Sequence, residues 1–368
     1  MQLLPIIPQS VDGYLATAPA DTPVHFFAPA ILADRLARFR AGFPGLVTYA
    51  VKANPAEQVI AQLWAGGLHG FDVASPAEIA MITTLCPGAP LHYNNPVRSG
   101  AEIAAGIAAG VVSWSVDEIG ELDKLSGIAP GSEVAVRFKL PVAGAAYNFG
   151  AKFGAEPDDA VALLQAVAAR GLSPALTFHV GTQCCDPAAW TTYIHAAAGI
   201  AARAGVTIAR LNVGGGFPSG RDGQGVDLQP YFDAISAAVA VFPTRPVLIC
   251  EPGRGLVGDA FAYAVQVKSS RGERVYLSDG IYGGLSEFPS MGVPAFRVVG
   301  RANAATTPRI VYGPTCDSLD VLPGRVDLPT DLGLGDWIVF SATGAYLNGV
   351  TTMFNGYGGR TTVPVTQL

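Results

Sequence analysis

The stretch "VTYAVKANP", Val47 to Pro55, places a lysine at the end of an apolar run rich in β-branched residues. Such a run predicts a buried strand, and Asn54-Pro55 is a turn signal that ends it. Lys52 therefore stands where a strand gives way to a loop. A lone lysine is most often solvated at the protein surface, so an amine at the end of a buried strand needs a chemical reason.

The strand that ends near Lys52 is one of a series. From about residue 24 to 255, a short β-rich run, a loop and an alanine-rich amphipathic helix follow one another repeatedly. This alternation predicts a parallel sheet, and the number of repeats favours a closed (β/α)8 barrel over an open doubly wound sheet. The predicted strands are HFFA, LVTYAV, GFDVAS, LHYNN, SWSV, EVAVRFKL, ALTFHV, RLNVGG and PVLICEP.

The composition and hydrophobic pattern of the sequence change after "CEPGRGLVG". Residues 256–368 are dense in Gly, Thr, Val and Tyr, with frequent turn signals and almost no helical periodicity, which predicts an all-β domain. A chain of 368 residues also exceeds the usual limit of a single core. We therefore expect an α/β barrel at 24–255 followed by a β domain at 256–368.

Composition excludes several classes of protein. Charged residues make up 14% of the chain, the net charge is -6 and no basic cluster occurs, which argues against nucleic-acid binding. The apolar stretches are too short or too interrupted to cross a bilayer, and the N-terminus lacks the features of a secretory leader. Five cysteines without CxxC spacing fit reduced thiols better than a disulfide framework or a zinc site. We expect a soluble cytoplasmic protein that begins at its mature N-terminus.

Chemistry in a barrel of this kind belongs at the carboxyl ends of the strands, where the loops converge. The polar or glycine residues that follow the predicted strands are Lys52, Asp72, Arg137, His179, Thr182, Gly214 to Gly216, Glu251 and Arg254. A pyridoxal phosphate site requires an amine to capture the aldehyde, a group to stack on the ring, a phosphate cradle and a partner for the ring nitrogen. This set of residues contains one candidate for each requirement.

Seven motifs then make the sequence similar to a known family. They are YAVKANP, GFDVASPAEI, FHVGTQ, LNVGGGFP, EPGR, GPTCDSLD and GAYLNGVTTMFNGY. In this order they resemble the fold type III pyridoxal phosphate decarboxylases of the ornithine and lysine decarboxylase family, over about residues 24 to 358. The resemblance implies an alanine-racemase-like barrel, a β domain joined by the N-terminal segment 1–23, and a homodimer with active sites at its interface.

The same resemblance implies roles for individual residues. Lys52 matches the lysine that bonds covalently to the cofactor, and a lysine desolvated in an apolar pocket has a lowered pKa that makes its neutral amine available. Glu251 matches the carboxylate that pairs with the ring nitrogen and keeps it protonated. His179 matches the imidazole stacked on the cofactor face.

The phosphate is expected to lie at the glycine run. Gly214, Gly215 and Gly216 have no side chains to obstruct three successive backbone N–H groups, and Arg254 and Tyr346 match phosphate partners in the family. The run fits neither a Walker loop nor a GxGxxG fingerprint. Further positions that match residues contacting the cofactor or supporting its site are Asp72, Glu78, Arg137 and Thr182.

The β domain contributes a second group of expected site residues. The family supplies Cys316 and Asp317 to the active site of the partner subunit. Cys316 is the candidate acid that protonates the substrate's Cα, because a positioned thiol can deliver a proton in a water-poor site. Asp317 is expected to face the distal end of the substrate, and Lys152 matches a lysine that pairs across the dimer with an aspartate at Asp320.

One departure from the family bears on the substrate. Ornithine decarboxylases carry a second aspartate about a dozen residues beyond the DG-Y-G motif, and counting on from Asp279 the equivalent residue is Met291. A basic amino acid, ornithine or lysine, remains the expected substrate because Asp317 is present, with Glu287 as the candidate to replace the missing carboxylate. The alternative is a conjugated or otherwise modified diamino acid of secondary metabolism.

Two other functions stay open. A racemase of the alanine-racemase type would share the barrel and the lysine, but it usually places Arg rather than Glu at the ring nitrogen. A non-catalytic pyridoxal-binding regulator, similar to an antizyme inhibitor, would be expected to have lost cofactor or acid residues, which this chain keeps. The sequence therefore predicts a pyridoxal-phosphate-dependent α-decarboxylase.

Overall fold

The computed structural model describes residues 10–141, 146 and 150–368. The first nine residues of the expected N-terminal segment, 1–23, lie outside the described residues. The chain divides into two compact units. The barrel unit comprises Arg35–Pro218 and Asp227–Gly255, and the β unit comprises the chain up to Asp34, Ser219–Val226 and Leu256–Leu368.

The described part of the chain forms strands and α-helices in the following order. The strands are β1 Val24–Phe27, β2 Leu46–Ala50, β3 Gly70–Val73, β4 Leu91–Tyr93, β5 Ser113–Val116, β6 Glu133–Arg137, β7 Ser173–Thr177, β8 Arg210–Asn212, β9 Val247–Cys250, β10 Phe261–Arg271, β11 Arg274–Leu277, β12 Phe296–Val298, β13 Thr306–Tyr312, β14 Val326–Pro329, β15 Trp337–Ser341 and β16 Thr361–Pro364. The helices are α1 Val11–Leu15, α2 Pro29–Gly42, α3 Glu57–Ala65, α4 Pro76–Leu85, α5 Gly100–Ala108, α6 Ile119–Lys124, α7 Pro157–Ala169, α8 Ala188–Ala204, α9 Gln229–Ala238, α10 Arg254–Val257, α11 Phe288–Met291 and α12 Leu347–Val350.

Strands β2 to β9 form a closed parallel barrel. Each strand pairs with the next, and β9 closes the ring against β2, where Leu46 is paired with Ile249 and Val47 with Cys250. Helices α3 to α9 follow β2 to β8 in turn, so each helix connects two neighbouring strands. The predicted fold class, a TIM-type barrel with an additional β domain, is confirmed.

The sequence explains why the barrel helices begin where they do. Ser75 is the N-cap of α4 and accepts a hydrogen bond from the backbone of Glu78, with Pro76 at the first helical position. At α5, Ser99 and Glu102 form a capping box that satisfies two backbone donors. These caps end the β-to-α loops on one rim of the barrel, where the predicted site residues stand.

A buried arginine joins two strand ends at this rim. The Arg98 side chain is 2% exposed, and its Nη1 donates to the carbonyls of Tyr93 at 3.2 Å and Asn95 at 2.6 Å. Its Nη2 donates to the carbonyl of Ser115 in β5 at 2.6 Å. The guanidinium thus gives a charged donor to three carbonyls and holds the end of β4 against β5.

The β unit contains a mixed sheet in the order β12-β15-β10-β11-β13-β14, with β1 paired to β10 and β16. Along β10, Tyr263, Val265 and Val267 face one apolar cluster and Ala262 and Ala264 face another. Because side chains alternate between the faces of a strand, burial on both faces requires a continuous apolar run. This accounts for the strand-forming composition of the sequence that follows residue 256.

One predicted strand lies in the other unit. A barrel that begins at residue 24 would include the run HFFA, but β1 pairs antiparallel with β10 and parallel with β16. All four residues of β1 are buried. A short run that is buried on both faces has the same apolar pattern in a barrel and in this sheet, so periodicity alone could not assign it.

No helix in the ranges 10–141 and 150–368 combines the length and the apolar character needed to span a membrane.

We expect Arg98→Met to lower the free energy of unfolding by about 3 kcal/mol or more, because three carbonyls lose a buried charged donor. Urea unfolding followed by circular dichroism measures the change. Arg170→Met is the control, since Arg170 forms an ion pair with Asp123 in which both side chains are substantially exposed. The control should change stability by no more than about 0.5 kcal/mol. Equal effects of the two substitutions would contradict the role assigned to Arg98.

Candidate active site

Lys52 lies on a single 3-10 turn, Val51–Ala53, that follows β2 directly. Asn54 ends the turn, and its Oδ1 accepts a hydrogen bond from the backbone of Ala56. The Lys52 Nζ lies 3.4 Å from Oδ2 of Asp72, and the lysine side chain is 49% exposed whereas that of Asp72 is 3% exposed. The amine is therefore directed by a buried carboxylate yet remains accessible at the rim.

Glu78 stands close to this pair. Its Oε2 accepts a hydrogen bond from the backbone of Ala74 at 2.7 Å. Burial raises the pKa of Glu78, an effect opposed by the Ala74 hydrogen bond and strengthened by the neighbouring Asp72. Two carboxyl groups next to one amine give this part of the rim a strong preference for a positive charge.

Glu251 follows β9 and is 8% exposed. Its Oε1 accepts hydrogen bonds from the side-chain amides of Asn94, after β4, and Asn212, in β8. Burial, followed by the charge of Asp72, raises the Glu251 pKa from 4.5 to about 8, while the Asn212 hydrogen bond and the charges of Lys52 and Arg137 lower it. In the cofactor-free protein, the carboxyl group is thus poised to change protonation near neutral pH.

His179 follows β7 and is neutral at ordinary pH. Its Nδ1 accepts a hydrogen bond from the backbone of Gly181 at 3.0 Å, which leaves the ring proton on Nε2. Burial lowers the His179 pKa well below its ordinary value, and the nearby cations Arg137 and Lys52 lower it further. A neutral imidazole can lie against an aromatic ring without burying a charge between them.

The glycine run 214–216 has no room for side chains. A Cβ at Gly214 would lie 2.2 Å from the carbonyl oxygen of Phe178, one at Gly215 would lie 2.8 Å from that of Glu251, and one at Gly216 would lie 2.4 Å from that of Gly181. Gly214 and Gly216 also have φ values of 67° and 94°, which favour glycine. The backbone therefore follows a path that larger residues would block.

The structure changes one detail of the expected phosphate cradle. The N–H of Gly214 donates to Oδ1 of Asn212 at 2.9 Å, so it serves the loop itself. The backbone N–H groups of Gly215 and Gly216 remain as candidates for phosphate. The expected set of three N–H donors is reduced to two because an Asx-type turn at Asn212 uses the first.

The remaining barrel residues lie at the same rim. Arg137 ends β6, and its guanidinium carbon lies 5.2 Å from the ring centroid of Phe153. Thr182 is buried and its carbonyl accepts a hydrogen bond from the backbone of Ala146. Arg254 is buried at the first position of α10.

In the β unit, Cys316 is exposed and its backbone N–H donates to Oδ1 of Asn355. Asp317 is fixed at both carboxylate oxygens. Oδ2 accepts from the Tyr282 hydroxyl at 2.5 Å, and Oδ1 accepts from the backbone of Leu319 at 2.9 Å. The Tyr282 hydrogen bond lowers the pKa of Asp317, which keeps the carboxylate ionised and available to a cation.

The other expected residues of the β unit are placed as follows. Met291 ends α11 and its carbonyl accepts from Arg221 at 3.4 Å, while Glu287 is the residue before that helix. Tyr346, expected to contact phosphate, precedes α12 with a φ of 64°.

The expected ion pair between Lys152 and Asp320 does not fit this structure. Asp320 is 1% exposed, and its carboxylate accepts hydrogen bonds from the backbone of Ile281 and from both the backbone and hydroxyl of Thr315. These bonds tie two loops of the β unit together and leave the carboxylate almost no accessible surface for a partner chain.

Two residues that contact Glu251 have no role predicted from the sequence. Asn94 and Asn212 occur inside the quoted runs LHYNN and LNVGG, each directly after or at the end of a strand. Their position at the carboxyl ends of barrel strands was the available signal, because that is where site residues converge. Tyr282, which holds Asp317, was likewise present in the DG-Y-G motif but was given no role.

The barrel rim fits pyridoxal phosphate. A strand-end amine, a neutral imidazole and a carboxyl group that titrates near neutral pH lie beside a glycine loop with no space for any Cβ. The buried Oδ1 of Asp72 also has no hydrogen-bond partner within the described residues, as expected beside a group that binds there. Fold and site together define the class of pyridoxal-phosphate-binding barrels.

Comparison with known proteins narrows this class. The family described as "Pyridoxal-dependent decarboxylase, pyridoxal binding domain" matches residues 30–258. The lysine/ornithine decarboxylase of Selenomonas ruminantium is 33% identical over 324 residues, which cover 84% of this chain and 81% of the relative. Antizyme inhibitor 2 of Xenopus laevis is 30% identical over 338 residues, covering 84% of this chain and 73% of the relative.

A solved structure agrees with these relatives. The arginine decarboxylase of Paramecium bursaria Chlorella virus, bound to agmatine, superposes with a TM-score of 0.86 at 26% sequence identity, covering 96% of this chain and 99% of that one. The chain belongs to the pyridoxal-dependent decarboxylase family of ornithine, lysine and arginine decarboxylases. It is a pyridoxal-phosphate-dependent amino-acid decarboxylase.

The raised Glu251 pKa predicts a pH dependence of stability in the cofactor-free protein. The unfolded chain releases the Glu251 proton near pH 4.5, whereas the folded chain keeps it up to about pH 8. The stability that this proton contributes is therefore lost as the pH rises through that window. The free energy of unfolding of the wild type, relative to Glu251→Gln, should fall by up to about 1.4 kcal/mol per pH unit. Urea unfolding of both proteins from pH 5 to 8 measures this difference, and a constant difference would contradict the shift.

Proposed function

We propose that this enzyme removes the α-carboxylate of a basic L-amino acid, lysine or ornithine, and releases carbon dioxide and the diamine. The observation that carries this choice is Asp317, whose carboxylate is held by the Tyr282 hydroxyl and the Leu319 backbone and is kept ionised. A fixed carboxylate is the group that recognises a distal ammonium. The relative from Selenomonas ruminantium is named for activity on the same two amino acids.

The barrel residues divide the work of the reaction. When bound, pyridoxal phosphate supplies the electron sink for the pair released as the bond to carbon dioxide breaks. We assign Lys52 the covalent attachment of the cofactor, with Asp72 directing its Nζ. Glu251 holds the proton of the ring nitrogen, and neutral His179 packs on the ring without adding charge. Gly215 and Gly216 offer backbone N–H groups to the phosphate.

Cys316 is assigned the return of a proton to the substrate's Cα. We propose that it acts in the site of a partner subunit, so that the enzyme is a homodimer. The support is the surface around it: Leu319, Met353 and Phe354 are 68%, 65% and 42% exposed, and Asn355 bonds to the Cys316 backbone. Apolar side chains of this size on two exposed loops that a hydrogen bond joins are typical of a surface that a partner covers.

Met291 favours a second candidate substrate. The family's second aspartate is absent there, and the nearby guanidinium of Arg221 donates to the carbonyls of Met291 and Gly292. A second ammonium-binding carboxylate is therefore replaced by an apolar side chain next to a cation. Glu287, directly before α11, is the carboxylate closest in sequence that could replace it. A diamino acid with an acylated distal nitrogen is the alternative that this arrangement favours.

The similarity to an antizyme inhibitor raises the question of a non-catalytic role. A regulator has no need of a cofactor-binding lysine, a carboxyl partner for the ring nitrogen or a proton donor. This chain retains Lys52, Glu251 and Cys316 together, which supports an active enzyme. We also propose a cytoplasmic location, because each of the five cysteines is a free thiol, as is usual in a reducing compartment.

The central test is the release of carbon dioxide from a panel of substrates. We expect the wild type to act on L-lysine or L-ornithine, and Lys52→Ala to lose the cofactor's absorbance band and nearly all turnover. Borohydride reduction followed by peptide mapping should locate the cofactor on Lys52 in the wild type. Trapping at another lysine would overturn the assignment, and activity only toward N-acylated diamino acids would replace the free-diamine substrate by the second candidate.

The shared site can be tested by mixing two damaged proteins. Lys52→Ala and Cys316→Ala subunits should each form little diamine alone. After subunit exchange, one site of every mixed dimer contains neither lesion, so roughly a quarter of all sites should recover. Diamine formation measured by chromatography gives the yield. No recovery after proven exchange would show that both residues act within one chain.

A further inference from the structure

Two side-chain amides converge on one oxygen of Glu251. Asn94, which follows β4, and Asn212, in β8, both donate to Oε1. Among the described residues, no donor bonds to Oε2. The carboxyl group is thus held from two sides through a single oxygen, and its second oxygen is left available.

We propose that Asn94 and Asn212 are positioning residues that fix Oε1 of Glu251, favour its carboxylate form and leave Oε2 to pair with the cofactor's ring nitrogen. This inference rests on the role proposed above for Glu251 and adds two residues that act through it. Neither asparagine needs to touch the cofactor. Both control where the proton between the carboxylate and the ring nitrogen resides.

The direction of each amide is fixed by its other contacts. Asn212 accepts the Gly214 N–H at its Oδ1, so its NH2 group must face Glu251. The backbone N–H of Glu251 also donates to the Gly214 carbonyl at 2.9 Å. Asn212 therefore connects the glycine loop, at the phosphate end of the proposed site, to the carboxyl group at the ring-nitrogen end.

Asn94 is held through its neighbours. The carbonyls of Tyr93 and Asn95, on either side of it, both accept hydrogen bonds from Nη1 of buried Arg98. The backbone that presents Asn94 is thus clamped at two points. Because this backbone is already ordered, fixing the Asn94 amide on Glu251 costs side-chain entropy alone.

The charged groups around Glu251 show why neutral donors are needed. Asp72 in β3 opposes ionisation of Glu251, whereas Lys52 after β2 and Arg137 in β6 favour it. His179, after β7, is kept neutral, and the Cys250 thiol beside Glu251 has its pKa raised by burial. The two amides stabilise the carboxylate without adding charge to the interior of the barrel, and in a buried site such hydrogen bonds are strong.

The ring nitrogen itself gives the readout. Holoenzyme loaded with pyridoxal phosphate labelled with ¹⁵N at the ring nitrogen is examined by solid-state NMR from pH 6 to 9. Asn94→Ala and Asn212→Ala each remove a donor from Oε1, so the carboxyl binds its proton more tightly and the ring nitrogen loses it at lower pH. We expect a shift of about one pH unit and about a tenfold higher Kd for the cofactor in each variant.

Two further variants decide between explanations. Glu251→Gln should move the ¹⁵N resonance furthest toward the unprotonated ring. Asn95→Ala is the matched control, because Asn95 lies in the same loop but bonds to Ala74 and Val97 instead of Glu251; it should behave as the wild type.

Each alternative result has a defined meaning. If both Asn94→Ala and Asn212→Ala match the wild type while Glu251→Gln does not, the positioning role is wrong and the role of Glu251 stands. If Glu251→Gln also leaves the resonance unchanged, the proposed pairing with the ring nitrogen fails. A shift in Asn95→Ala as large as that in Asn94→Ala would assign the effect to loop distortion and overturn the proposal.

Discussion

The Glu251 carboxyl follows β9 inside the ring of barrel strands and is only 8% exposed, so water solvates its charge poorly. An unpaired carboxylate in such a place is strongly disfavoured, and its pKa near 8 reflects this. The neighbouring groups offset the penalty: Asn94 and Asn212 donate hydrogen bonds, while Lys52 and Arg137 add positive charge. These groups lie at or just after the carboxyl ends of β2, β4, β6 and β8, and closure of the barrel brings them around one carboxyl group.

Much of the site could be predicted from local sequence. Lys52, His179 and Glu251 each follow a recognisable apolar run, and the rule that barrel chemistry lies at the carboxyl ends of strands places them at one rim. The glycine run was informative for a different reason, since glycines have no side chains to obstruct backbone N–H groups; the structure adds that none of the three has room for a Cβ. In each case the signal was a residue type at a position fixed by the strand pattern.

The predictions that needed correction concern partners, which a strand pattern does not encode. A buried strand has the same apolar sequence pattern in a barrel and in the sheet of the β unit. The pattern of the run containing β1 therefore could not predict that it pairs with β10 and β16. The Gly214 N–H is used by Asn212, and the Asp320 carboxylate is used by Ile281 and Thr315. Hydrogen-bond direction depends on the folded backbone, whereas hydrophobic periodicity is already present in the linear sequence.

The placement of β1 has a consequence for the order in which the chain folds during synthesis. The backbone of Asp21 bonds to the side chain of Gln266 across 245 residues, and β1 pairs with β10 at similar separation. During synthesis β1 therefore leaves the ribosome long before β10 and β16, the two strands that pair with its edges, have been made. An apolar strand with unpaired edges invites association with other chains. The nascent barrel can close first, and β1 must be shielded until the last third of the polypeptide emerges.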